Sequence, residues 1–326
     1  MLLRTFFNVL SPAGAKAKLS TLIFHRVHAQ PDPLFPGEVD AAQFNDMCGW
    51  LKEWCNVLPL DLALAKLADG SLPARACAIT FDDGYADNHD VALPILQKHG
   101  LVATFFIATG FLDGGRMWND GVIEALRGTE GPVLQLASVI EGMNEALPLA
   151  DWEQKRAAIY RILAHIKYLP LQVRDEAVVA LARYCAVTLP DDLMMTSDQV
   201  RGLHRAGMQI GAHTVSHPIL AKQAREDMYR EIAQGKEELE RLIDAPITLF
   251  AYPNGKPDED YSATSVDIVK SLGFQAAVST EWGVGHRKSD LFQIPRFTPW
   301  DRSAYKFGLR LGLNMRKTHT LRASGS

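Results

Sequence analysis

Short apolar runs alternate with helix-period segments along most of this 326-residue chain, and that alternation restricts the fold more than any other feature. "STLIFHRV" (20–27), "ACAITFDDG" (76–84), "VATFFIATG" (102–110), "MQIGAHT" (208–214), "ITLFAYPNG" (247–255), "FQAAVST" (274–280) and "LFQIPRFTP" (291–299) read as strands. Helical patterns stand between most of them. In "DAAQFNDMCGWLKEW" (40–54) the apolar positions Phe44, Met47, Trp50 and Leu51 follow Asp40 as a cap. Strands separated by helices build a mainly parallel sheet, because each strand returns to its neighbour's direction through the intervening helix.

The rhythm lapses between about 114 and 196, where "DWEQKRAAIYRILAHIKYL" and "VRDEAVVALARYCA" are helical. No Gly/Ser-rich or Pro-rich linker brackets this stretch. It reads as a helical insertion in one domain spanning 1–326, with a core over about 20–300 and a basic tail over about 310–326 expected to be solvated or frayed.

A net charge of −4 offers no broad cationic field, which disfavours a nucleic-acid partner. Cys48, Cys55, Cys77 and Cys185 form no C-x-x-C pair and read as buried thiols. No apolar run is long enough to span a bilayer. In "MLLRTFFNVL" the apolar patch is broken by Arg4 and Asn8 and is shorter than a secretory core. A short amphipathic helix on the domain, or in peripheral contact with a membrane, is expected. The expected location is cytoplasmic, with export or membrane-peripheral attachment as alternatives.

In a barrel of parallel strands, side chains at the strand C-terminal ends converge on one face. This chain puts His25, the adjacent Asp82 and Asp83, the pair His213 and His217, and the "FAYPNG" loop there. Two neighbouring carboxylates repel each other unless a cation, a proton or water relieves them. Histidines four apart converge if the loop makes one helical turn. Two neutral imidazoles, one carboxylate and a position for water make a catalytic zinc site. Either aspartate could complete the set, and the other would accept a proton from water activated at the ion.

"TFDDG", "HTVSH" and the later "YPNG" loop together resemble the polysaccharide deacetylases of the NodB homology type, carbohydrate esterase family 4. The resemblance covers roughly residues 21–299. It implies an irregular (β/α)7 barrel, with Asp82 as general base and Asp83, His213 and His217 as ligands of Zn2+ or another divalent transition metal. The implied reaction removes N-acetyl groups from a carbohydrate substrate, an exopolysaccharide or its lipid-linked precursor. Deformylation of a lipid-linked formamido sugar and a catalytically silent glycan-binding barrel are the alternatives. The intact set of four residues argues against the silent barrel.

Two departures from the family pattern stand out. Where many members read R-P-P-Y-G, this chain has Ala251 in the arginine slot and Asn254 in the tyrosine slot. Arg296, at the end of "IPRF", is the candidate brace for the base, against an ordinary surface ion pair. No leucine-x-histidine motif follows residue 280. His25 is therefore the candidate acid, resembling the histidine of an N-terminal "YH" motif in the biofilm poly-N-acetylglucosamine deacetylases, against a structural hydrogen bond. His286 is expected in solvent. Tyr252 and the Asn254 backbone N–H are the candidate substrate or oxyanion contacts. Trp118 is a candidate for stacking on sugar, with core packing as the alternative.

Overall fold

The computed structural model of the chain describes residues 2–324. The strands are β1 (Lys18–Phe24), β2 (Asn56–Val57), β3 (Ala76–Phe81), β4 (Thr104–Ile107), β5 (Val133–Gln135), β6 (Ala146–Pro148), β7 (Gln209–Ala212), β8 (Leu249–Ala251), β9 (Ala276–Trp282), β10 (Gly285–His286) and β11 (Ile294–Arg296). The helices are α1 (Leu2–Leu10), α2 (Ala41–Trp54), α3 (Leu60–Asp69), α4 (Leu93–His99), α5 (Trp118–Gly128), α6 (Trp152–Ile166), α7 (Leu171–Tyr184), α8 (Ser197–Arg205), α9 (Arg225–Ile243), α10 (Ala263–Ser271) and α11 (Ala304–Asn314). Local chemistry accounts for their ends. Asp40 caps α2 by accepting from the Gln43 amide at 2.9 Å, and Gly70 stops α3 in the left-handed region.

Strands β1, β3, β4, β7, β8, β9 and β11 lie parallel in that order. Phe297, just past β11, donates to the Thr21 carbonyl (2.8 Å) and accepts from the Ile23 amide (3.0 Å), which closes the ring onto β1. The result is the irregular (β/α)7 barrel that the sequence implied. Its irregularity lies in β2, which pairs the first residues of β3, and β10, which runs antiparallel to the start of β1.

The two faces of β3 explain why its end carries chemistry. Cys77, Ile79 and Phe81 pack in the large outer core beneath the helices, whereas Ala76 and Ala78 belong to the barrel interior. A period of two continues that inward series through Thr80 to Asp82. Phe106 of β4 fills the interior beneath the site and needs Gly211 opposite, where a Cβ would lie 2.4 Å from the ring.

By its internal contacts the chain divides into two compact units, 1–30 with 39–113 and 195–326, and 31–38 with 114–194. The first contains the barrel. The second has its own core, which includes Leu34, Leu126, Ile159, Ile162 and Leu181, and a two-stranded antiparallel sheet, β5–β6. Arg127 ties 31–38 into this unit with two bonds to Asp32, at 2.8 and 2.7 Å.

The tail differs from expectation. Residues up to 324 are docked on the first unit: the Ala323 amide donates to Gln293 Oε1 (2.7 Å), and the Lys317 carbonyl accepts from the Val284 amide (3.1 Å). Arg310 pairs with Asp301 and Lys317 with Glu281, and backbone bonds hold the chain down, which composition alone does not reveal. All four cysteines are buried and unpaired, and no described helix is long and apolar enough to cross a membrane.

Candidate active site

The end of β3 turns sharply at the acid pair. Asp82 keeps the strand's inward direction, and its amide donates to the Phe24 carbonyl at 3.0 Å. Asp83 adopts φ 75° and Gly84 φ 94°, a left-handed turn that sends the second carboxylate away from the first. Such a backbone is costly for a non-glycine residue and persists only where its surroundings impose it. Thr214, His217 and Asn254, on the other two motif loops, also have positive φ, between 52° and 65°.

Arg296, fully buried, meets Asp82 with two parallel bonds of 2.7 Å. Its remaining donors reach the Ser279 carbonyl (2.8 Å) and Thr80 Oγ1 (3.2 Å), so the guanidinium is fixed by β3, β9 and β11 together. The structure thus brings the sequence candidate onto the acid and sets aside the surface ion pair. Burial pushes the Asp82 carboxyl up, but the charges of Arg296 and His213 outweigh it and hold the group below the ordinary aspartate value.

His213 and His217 converge, but not through a helical turn. Residues 213–217 are an irregular loop, in which Thr214 Oγ1 accepts from the His217 amide at 3.1 Å. Glu231 of α9 fixes it, accepting from the Val215 amide (3.0 Å), the Ser216 amide (2.8 Å) and Ser216 Oγ (2.7 Å). Gly235, one turn further along α9, lets the helix approach so closely that a Cβ would stand 2.9 Å from the Thr214 backbone. Sequence reasoning missed Glu231, since "YREIAQG" carries no local sign of it.

Both imidazoles aim Nε2 at Asp83 Oδ1, each from 3.4 Å. His213 Nδ1 lies 2.8 Å from the Ala251 carbonyl, which can only accept, so Nδ1 carries the hydrogen and neutral His213 presents a bare Nε2 to a carboxylate. His25 stands at the mouth. It follows Phe24, whose partner in β3 is Phe81, so it lies beside Asp82 in the neighbouring strand. Its imidazole is exposed and has no hydrogen bond among the described residues. His286 pairs with Lys18 at the opposite end of β1, about 20 Å away at 3.3 Å per residue.

The sequence of this chain matches the family model for polysaccharide deacetylase over residues 69–277. It belongs to the polysaccharide deacetylase family. It is therefore a hydrolase of amide bonds acting on carbohydrate. YxkH of Bacillus subtilis (strain 168), named for the same family, is 20% identical over 282 residues, 86% of this chain and 71% of its own length. Among solved structures, the Streptococcus pyogenes deacetylase PplD in complex with acetate has a TM-score of 0.60 at 19% identity, covering 90% of this chain and 98% of its own. IcaB from Ammonifex degensii has a TM-score of 0.60 at 17% identity, covering 93% and 98%. A de-N-acetylase from Aggregatibacter actinomycetemcomitans has 0.53 at 16%, covering 86% and 94%. At these identities the likeness is one of fold.

In this deacetylase, Asp83, His213 and His217 offer ligand atoms that all lie within 4.8 Å of one another, and Asp83 Oδ1 is buried without a hydrogen-bond partner. The two histidine–Asp83 separations of 3.4 Å suit ligands that share one ion at about 2.1 Å. The donor set fits a divalent transition metal. Electrostatics agrees. Burial opposes charge on Asp83, yet the two histidines hold its carboxyl well below the ordinary range. Burial also lowers His217, to about 4, leaving it neutral as a ligand. His213 is raised despite its burial, because Asp83 and Asp82 favour its protonated form; a proton there would compete with a metal.

Two further candidates are corrected by the structure. Tyr252 is fully buried, stacked on Tyr261 at 3.9 Å, and its hydroxyl donates to the Phe292 carbonyl at 3.0 Å, so its side chain has no freedom to meet substrate. Trp118 begins α5 and packs against the second unit's core, with the Arg174 guanidinium 4.7 Å from its ring centroid. Half-buried there, its ring has the surroundings expected of the core reading. The Asn254 carbonyl accepts from Thr280 Oγ1 (2.7 Å), while its amide has no hydrogen-bond partner among the described residues.

Proposed function

We propose that this deacetylase removes N-acetyl groups from an N-acetylated glycan, an exopolysaccharide or its lipid-linked precursor, with a divalent metal, zinc in the first instance, held by Asp83, His213 and His217. The observation that carries this reading is the division of labour between two adjacent carboxylates, one clamped by Arg296 and the other faced by two imidazoles. The names of the de-N-acetylase and of the acetate-bound deacetylase among the structural neighbours support the acetyl group. A divalent ion held by Asp83, His213 and His217 would supply Lewis acidity toward the amide carbonyl and the attacking water.

The chain's own groups do the rest. Asp82, ionised at neutral pH, accepts the proton of the attacking water. Arg296 keeps both Asp82 oxygens in place, and the Asn254 N–H donates to the oxygen that gains charge. His25, at the open mouth beside Asp82, donates the proton that the leaving amine needs when the C–N bond breaks. Acetate and a free amino sugar are the products.

Four buried, unpaired thiols support a reducing compartment, and we place the protein in the cytoplasm. A formamido sugar would meet the same groups, so the assay must follow acetate and formate separately. The test compares wild type with Asp82→Asn and His25→Ala on chitooligosaccharides and native exopolysaccharide, with metal analysis of each protein. Asp82→Asn should keep its metal and lose turnover, and His25→Ala should slow the reaction by about a hundredfold or more. Equal acetate release by Asp82→Asn would remove the base, and formate without acetate would replace the substrate.

A further inference from the structure

Helices α1 and α11 are apolar on two faces. Inward, Phe7 packs edge-on against Trp54 at 6.2 Å and Phe307 and Leu311 are fully buried. The two helices meet at glycines: a Cβ on Gly308 would lie 2.7 Å from Leu3, and one on Gly312 would lie 2.7 Å from Phe6. Outward, Phe6 and Val9 of α1 and Tyr305, Leu309 and Leu313 of α11 are between 44% and 77% exposed. Positions 305, 309 and 313 recur every four residues and so share one face of α11. A helix apolar on both sides needs a second apolar surface, and contiguous exposed patches of this kind mark sites of association.

The charges around these helices say which surface. Residues 2–17 and 302–324 contain no aspartate or glutamate, although the whole chain has a net charge of −4. Arg310 is paired with Asp301 and Lys317 with Glu281 from outside these segments, whereas exposed Arg4, Lys306 and Arg316 have no ion-pair partner among the described residues. A second copy of the chain docked about a two-fold axis would set cations against cations. Anionic lipid headgroups complement them, and the apolar side chains between the cations suit the boundary between headgroups and acyl chains.

We propose that α1 and α11 form one face that lies on an anionic lipid surface, holding the barrel at a membrane without crossing it. This face is separate from the catalytic residues, so it stands or falls independently of the chemistry assigned above. Membrane affinity comes from two weak sources, shallow burial of the apolar side chains and attraction of the surrounding cations.

The experiment is sedimentation of the full chain with vesicles of phosphatidylcholine alone, or of phosphatidylcholine and phosphatidylglycerol in equal parts, at low and high salt. The protein should pellet with the anionic vesicles, stay in solution with the neutral ones, and be released by salt. The pair Leu309→Ser with Leu313→Ser, and separately Lys306→Glu with Arg316→Glu, should each weaken binding at least about tenfold. Thermal melting and acetate release from a soluble substrate should stay at wild-type levels in both, because these side chains face solvent. Failure of the wild type to pellet with anionic vesicles would overturn the proposal. So would pelleting that both pairs leave unchanged, or a dimer in light scattering that the leucine pair abolishes.

Discussion

At the scale of single residues, the contact that most constrains the chemistry is Arg296 on Asp82. A fully buried carboxylate is tolerable here because the guanidinium returns both charge and geometry. Replacing Arg296 with methionine leaves the acid buried without a cation. The Asp82 pKa then rises, so the base protonates at higher pH and the acidic limb of kcat/KM moves to higher pH, with a loss of turnover. Stability should fall by roughly 3–5 kcal/mol, the usual cost of breaking one side of a buried pair. A pH–rate profile beside a denaturant titration checks both, and an unmoved acidic limb would show that another group governs it.

At the scale of elements, the parallel strands were legible in the sequence because strands covered on both faces are almost wholly apolar. "ACAITF" is buried at every position. The polar residues that interrupt such runs at their ends were legible for the same reason, and they include all of Asp82, Asp83, His213, His217 and Arg296. What was not legible depends on partners remote in sequence. The 213–217 loop converges because Glu231 collects its amides from α9, and nothing within those five residues encodes that. Tyr252 reads as a site residue from its loop, yet its burial is decided by Tyr261 and Phe292. The docking of the tail is decided likewise, by Gln293 and Val284. Since Glu231 positions His217 without touching any ligand, Glu231→Gln should lower metal affinity about 10–100-fold, as loss of an outer support does. Saturating zinc should restore most of the activity. Competition with a chromophoric chelator measures the first, and an unchanged affinity would reduce Glu231 to ordinary helix packing.

At the scale of the whole molecule, the buried acid pair sets the response to acid. Both Asp82 and Asp83 have folded-state pKa values below the ordinary one. The unfolded chain therefore binds protons first as pH falls, so their contribution is intact above about pH 4 and is lost as pH drops through the folded values. His217 adds loss in the same direction at higher pH, between about 6.5 and about 4, whereas His213, raised, adds stability that is full below its unfolded value and is lost as pH rises through its folded value. The metal-free protein should thus unfold steeply below about pH 4. In Arg296→Met, where the Asp82 carboxyl is raised and its protonation favours the folded chain, stability should be lower at neutral pH but fall less steeply toward acid. Circular dichroism followed against pH detects the difference, and coincident transitions would detach the acid response from this pair.

Closure of the barrel by Phe297 has a consequence for the order in which the protein is made. Asp82 leaves the ribosome long before Arg296, 214 residues later, and the two meet only when the last parallel strand docks beside the first. Contacts this distant in sequence form slowly, because a long loop must close before they add stability. Until then the acid has no counter-cation and must keep water or a proton. The ring that shapes the catalytic mouth is thereby also a checkpoint of synthesis, since no chain interrupted before residue 296 can assemble a clamped base.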